Sequence, residues 1–195
     1  MTPKPLGCGA ALTSDWLASA FVTTKLRSLV EGLDTDSSFV NQTTGEPIGE
    51  PGMGILTFGG PFVNPIVKRA ENHSTPSIDR APVRFHSESE NFFFQYSNGT
   101  NIPNASLPLS VINNNEDLFV IERYIDGDGR FITICYGFGW PGTYAAGKYF
   151  DKRVFPNLGK FTAGWVIVHW HDTNMDGFVN NPGEGDTYTV IAAGN

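Results

Sequence analysis

Two β-rich runs, DLFVIERYID at 117–126 and RFITICYGF at 130–138, flank Gly127-Asp128-Gly129. Apolar, β-branched and aromatic residues on both sides of a Gly/Asp turn predict an antiparallel hairpin. Most other segments can be read relative to it. After the hairpin, PGTYAAGKYFDKRVF (141–155) predicts a helix opening on Pro141, a residue suited to a first helical turn. Its Tyr144, Ala145, Lys148 stem, Tyr149 and Val154 or Phe155 share one face. WVIVHW (165–170) and TYTVIA (187–192) predict two further strands, joined by a loop over 171–186.

Before the hairpin, Trp16, Leu17, Ala20, Phe21, Leu26, Leu29 and Val30 recur at helical spacing over 14–33. Ser14 or Asp15 serves as cap and Gly32 as stop. The polar stretch 34–52 reads as loop. GMGILTFGG (52–60) reads as a short buried strand, followed by a helix over 61–71 that opens on Pro61 and admits Pro65 only within its first turn. Strands are expected at 83–86 and 91–96, with a turn at Asn98-Gly99 and loops at 72–82 and 99–116. The order α–β–α–β–β–β–β–α–β–β predicts an α/β fold, with α+β as the alternative. It consists of one mixed sheet carrying three helices, in one domain over 1–195 behind a disordered lead at 1–13.

Composition removes several functions. Thirteen Lys+Arg against 20 Asp+Glu give a net charge of −7 with no basic stripe, a poor match to nucleic acid. A 40% hydrophobic content with 13% aromatics is enough for a packed core. No run approaches eighteen apolar residues, so no membrane span is expected. The start shows no basic region followed by an apolar core, so the chain is cytoplasmic or has lost a leader. Cys135 in FITICYGF reads as a buried small hydrophobe, and Cys8 lies in the Gly-rich start; a bridge between them stays open.

Four constellations have chemical potential. In DTNMDGFVNNPGEGD (172–186), oxygen side chains recur at Asp172, Asn174 and Asp176, Gly177 takes the sharp turn, Phe178 offers a carbonyl and Asn180 follows in ninth place. Calcium wants six to eight hard oxygens, and this spacing converges them, with Glu184 or Asp186 closing the shell. Position twelve is Gly183 and strands flank the loop, so this is no EF-hand. The competing reading is a solvated Asx-turn loop without an ion. Asp126-Gly-Asp128-Gly reads as a hairpin turn, with a second role as extra carboxylates for an ion. Gly137, Gly139 and Gly142 form G-x-G-x-x-G between a strand and a helix, the context of a dinucleotide turn. Trp140 and Pro141 put bulk and a missing N–H where amides should meet phosphate. His169 and His171 share a strand face next to Asp172, a weak zinc pattern more in keeping with structural histidines. Sequons at Asn41, Asn72, Asn98 and Asn104 all fall in stretches read as loop; they are glycan acceptors or plain Asn-rich turns.

Three segments carry a family likeness. GILTFGGPFVNPIVK resembles the strand–GGP–x–VN–helix segment of archaeal S-layer proteins. FITICYGFGWPGTYAAGKYF is similar to their strand–G–x–GT–x–AA–helix segment, and WVIVHWHDTNMDGFVNNPGEGDTYTVI to their closing strand–acidic loop–strand. The resemblance spans residues 53–192 in three islands, on a chain much shorter than a full S-layer subunit. It implies an extracellular, cell-envelope, often glycosylated structural protein without catalysis, whose partners are itself or other surface proteins. With the acidic loop, the expectation is a calcium-stabilised surface domain with no catalytic residues. The alternatives are a cytoplasmic nucleotide-binding enzyme using Gly137, Gly139 and Gly142, and a carbohydrate-binding module stacking sugars on Trp140 and Trp16.

Overall fold

The structure, a computed structural model, describes residues 15, 17–20, 22, 39–112, 114–158 and 164–195. Of the helix expected over 14–33, the described positions (15, 17–20 and 22) are helical. Its remaining residues, Trp16 and Gly32 among them, lie outside the described residues, as do the lead 1–13 and Cys8.

Eight strands follow: β1 (Gly54–Phe58), β2 (Val83–Glu88), β3 (Asn91–Tyr96), β4 (Asn101–Pro108), β5 (Glu116–Ile125), β6 (Phe131–Gly137), β7 (Trp165–His171) and β8 (Thr187–Gly194). They form a five-stranded sheet ordered β1-β6-β5-β7-β8 and a three-stranded sheet ordered β2-β3-β4. The expected hairpin is its centre: β5 and β6 pair antiparallel from Phe119↔Gly137 to Ile125↔Phe131. Only β1, parallel to β6, makes the large sheet mixed. Besides the helical positions before β1, 15, 17–20 and 22 among them, the α-helices among the described residues are α1 (Pro65–Ala70) and α2 (Trp140–Tyr149), and α2 runs on through a π turn at Phe150–Val154.

The strands alternate between two cores. Leu118 and Val120 of β5 join Ile132, Ile134, Ile167, the α1 residues Ile66, Val67 and Ala70, and Val83 and Phe94 of the small sheet. Phe119 and Ile121 face the other way, onto Cys135, Val166, Val168 and the α2 residues Ala145 and Ala146. The layers are therefore the small sheet with α1, the large sheet, and α2. Since both faces of β5 are covered, its apolar run is continuous rather than alternating. Ala145 and Ala146 are both fully buried, which is how α2 comes close to the sheet. A Cβ added at Gly147 would lie 2.7 Å from Cα of Ala18, so α2 is covered on its outer side too.

Three expectations need correction. The loop expected over 99–116 contains β4. Asn104 there has φ of +61°, and the β3–β4 register shifts between Phe93 and Gln95. This bulge spaces the inward residues as Ile102, Ala105 and Leu107, which breaks the period-2 signal. Pro103 and Pro108 are tolerated because β4 is an edge strand. The helix expected from Pro61 starts at Pro65. Asn64 caps it, its Oδ1 accepting from the Ile66 and Val67 amides at 3.0 and 3.4 Å. Residues 61–64 are instead a turn, with the Val63 and Asn64 amides bonded to the Gly60 carbonyl. Finally, the strands expected in one sheet divide between two. Among the described residues, no helix is long and apolar enough to cross a membrane.

Candidate functional site

The β7–β8 loop is anchored at both ends. Val179 is buried in the α2-side core beside Trp170. The Trp170 indole donates to Oδ2 of Asp186 at 2.6 Å, and the Asp172 amide donates to the Asn115 carbonyl at 2.7 Å. Asp172 and Asp186, at the two ends of the loop, are thus buried. Oδ2 of Asp172 accepts from the Gly177 amide at 2.9 Å and Oδ1 from the Asp176 amide at 3.3 Å, which curls the chain back on itself. Gly177 holds φ of +76°, the left-handed turn that its sixth position anticipates.

Within that curl, Asn174 and Asn180 each donate Nδ2 to Oδ2 of Asp176 at 2.9 Å. Nδ2 of Asn180 also lies 3.4 Å from Oδ1 of Asp186, whose Oδ2 accepts the Asn180 amide at 2.7 Å. The loop therefore brings together Asp172, Asn174, Asp176, Asn180 and Asp186. The Phe178 side chain is exposed and its amide donates to Oδ1 of Asp176 at 2.8 Å. Glu184 turns aside to Nδ2 of Asn181 at 2.8 Å, which leaves Asp186 as the closing acid. Hydrogen bonds from the Asn180 side chain, then from the Phe178 amide and Asn174, hold the Asp176 carboxyl below its ordinary range. It is a carboxylate at neutral pH.

The Asn180 side-chain amide bridges the carboxylates of Asp176 and Asp186, and that of Asn174 meets Asp176. A half-turn of each Asn side chain exchanges Nδ2 for Oδ1, so the same positions can present oxygen. The set is then hard oxygen only, matching calcium rather than a soft metal. Among the described residues, no three His, Cys, Asp or Glu side chains form a metal-holding group. A site here depends on its amide and carbonyl oxygens.

The Gly137–Gly142 turn has another role. Asp117, fully buried at the head of β5, accepts from the amides of Gly139 and Gly142 at 2.9 Å each and of Phe138 at 3.2 Å. The chain's own carboxylate thus fills the anion cradle at the α2 N-terminus. A Cβ on Gly142 would lie 2.6 Å from Cγ of Asp117, and one on Gly137 2.4 Å from Cα of Gly142. Close packing accounts for these two glycines without a pyrophosphate. Burial pushes the Asp117 carboxyl up to about 7, against the lowering pull of the amides.

Beside this turn is a groove of about 160 Å³, bounded by Gly59–Val63 after β1 and Gly137–Trp140 after β6. It opens at the carboxyl ends of two parallel strands whose helices pack on opposite faces, where ligand crevices form in such sheets. Phe62 and Trp140 stand at its edge, 80% and 42% exposed.

The remaining candidate groups have structural partners. Asp126 and Asp128 form a turn around Arg130, whose Nε lies 2.7 Å from Asp126 while Nη2 reaches Asp128. Cys135 is a buried free thiol whose pKa is raised by desolvation. His169 Nε2 pairs with Glu116 of β5 at 2.7 Å, and the His171 ring stacks on His169 at 6.4 Å. That acidic partner across the sheet was not legible from the strand alone. Family models, curated proteins and solved structures give no match to this chain.

Proposed function

We propose that this chain is a non-catalytic domain of an archaeal cell-surface protein of the S-layer type, and that its β7–β8 loop takes calcium. The observation that carries this reading is the hydrogen-bond network that ties Asp172, Asp176 and Asp186 into one loop through the Gly177 and Asp176 amides and the side chains of Asn174 and Asn180. A bound calcium would supply no reaction; it would tie the loop across the ends of β7 and the edge strand β8. The outer surface agrees with a cell-envelope location. Asn41, Asn72, Asn98 and Asn104 are all exposed. Oδ1 of the first three accepts from the amide two residues on, at 3.0, 2.9 and 2.9 Å, in Asx turns at Thr43, Ser74 and Thr100. The sequons are thereby available to carry glycans.

The nucleotide-enzyme reading loses support from Asp117, which takes the amides a phosphate would need. One observation favours the carbohydrate-binding reading: the groove flanked by Phe62 and Trp140, whose aromatic faces suit sugar rings. Trp16, its other expected platform, lies outside the described residues. The test of the surface reading is antibody labelling of intact source cells, before and after washing with a calcium chelator. The expected result is labelling without permeabilisation, and loss of most of it into the wash. Labelling that requires permeabilised cells would overturn the surface assignment.

A further inference from the structure

Beside the apolar core they share, the small sheet is joined to the large one by two carboxylic acids. β2 pairs with β3 on one side only, so its other edge needs acceptors. Oε2 of Glu122, on β5, accepts from the Val83 amide at 2.9 Å, and Oε2 of Glu71, at the end of α1, accepts from the Phe85 amide at 2.9 Å. The Tyr136 hydroxyl donates to Glu71 Oε1. Glu122 is 1% exposed, and its Oε1 is buried with no hydrogen-bond partner among the described residues. A charged carboxylate with one bare oxygen is strongly disfavoured in such a place, and a protonated one much less so.

We propose that Glu71 and Glu122 form a proton-dependent clamp: with at least one of them protonated they fasten β2 and the small sheet to the large sheet, and full ionisation loosens that edge. The groups around them supply little positive charge. Tyr136 and Cys135 on β6 and Tyr124 on β5 are neutral neighbours, and Arg84 on β2 acts on Glu71 while its Nε is bonded to Gln95 at 3.0 Å. The electrostatics agree with the geometry. Burial pushes Glu71 up to about 7, and burial together with the Glu71 charge raises Glu122 well above its ordinary range.

The sign follows from linkage. Carboxyls with raised folded-state pKa bind more protons folded than unfolded. Their full stability is therefore present below the unfolded value of 4.5 and is lost as pH rises through about 7 for Glu71 and through the raised folded-state value of Glu122. Asp117 contributes in the same direction, so the test must separate the clamp from the helix end.

With calcium chelated, the unfolding constant of the wild type is expected to be on the order of a hundredfold larger at pH 8 than at pH 5. That corresponds to a melting temperature about 5–10 °C higher at the acid pH. Glu122→Gln keeps an acceptor for Val83 and removes the charge; it should gain stability at pH 8 and lose its share of this difference, and Glu71→Gln should likewise lose its share. Asp117→Asn should leave the clamp's share intact. Amide hydrogen exchange in the wild type needs no variant: protection at Val83 and Phe85 should fall from pH 5 to pH 8 more than at Ile134 and Ile167. A melting temperature that stays level or rises towards pH 8 would overturn the clamp. So would full pH dependence retained in both Gln variants, or equal loss of protection at all four amides.

Discussion

Asp117→Ala should lower the stability of the chain by on the order of 3–4 kcal/mol in denaturant unfolding. This acid accepts from three amides, those of Phe138, Gly139 and Gly142, at a helix start that is otherwise closed. Alanine leaves those donors without a partner and opens a gap under Gly142, so both a cap and a packing contact are lost. Asp117→Asn retains one acceptor oxygen but turns an NH2 towards an amide, and should fall between wild type and alanine. Because burial raises the folded carboxyl to about 7 from 3.8, wild-type stability at this site declines as pH climbs through that window. The penalty of the uncharged Asn variant should accordingly be smaller at pH 8 than at pH 5. A change of under about 0.5 kcal/mol for the alanine variant would mean that Asp117 does not hold the turn.

The second large effect is Gly137→Ala. Its Cβ would lie 2.4 Å from both Cα and the carbonyl carbon of Gly142 and 2.7 Å from the Thr143 nitrogen. All three are backbone atoms of α2, so no side-chain rotation relieves the clash. The helix must move away from β6, at about 2–3 kcal/mol. Gly54→Ala is the control, since nothing stands within 4 Å of its added Cβ; it should be near neutral. If the turn were a phosphate cradle, Gly137→Ala would chiefly reduce ligand binding. Here the loss is in the unfolding midpoint, and an unchanged midpoint would return the glycines to the nucleotide reading.

How far the chain was legible depended on how local each signal was. The β5–β6 hairpin could be read because its turn and both apolar runs are contiguous. The β7–β8 loop could be read because Asp172 to Asn180 lie within one curl. β4 was hidden because its bulge at Asn104 replaces alternation with a three-residue step, and because its prolines look like loop until the strand is known to be an edge. The roles of Asp117, Glu122 and Glu116 were hidden for another reason. Each sits in or beside a run that reads simply as strand, and its partner is distant: a helix start 22–25 residues on, the Val83 amide 39 back, an imidazole 53 on. Acids at the head and within an apolar strand were the available signal, since buried carboxylates require partners. The sequence alone does not say which partners they find. Nor does the hydrophobic pattern say that α1 and the small sheet share one face of the large sheet while α2 takes the other. That arrangement follows from Leu118 and Phe119 facing opposite cores.

Calcium at the β7–β8 loop is the central claim, and thermal unfolding at pH 7 in millimolar calcium against chelator tests it most directly. A ligand bound only by the folded state adds about 2.7 kcal/mol at a hundredfold excess over its dissociation constant. For a chain of this length that raises the melting temperature by about 5–10 °C. The Asp176→Ala variant removes the carboxylate on which Asn174 and Asn180 converge, and should show no such rise while melting near the wild-type chelator value. A wild-type melting temperature that is the same with calcium and with chelator, or a rise that survives Asp176→Ala, would contradict the account.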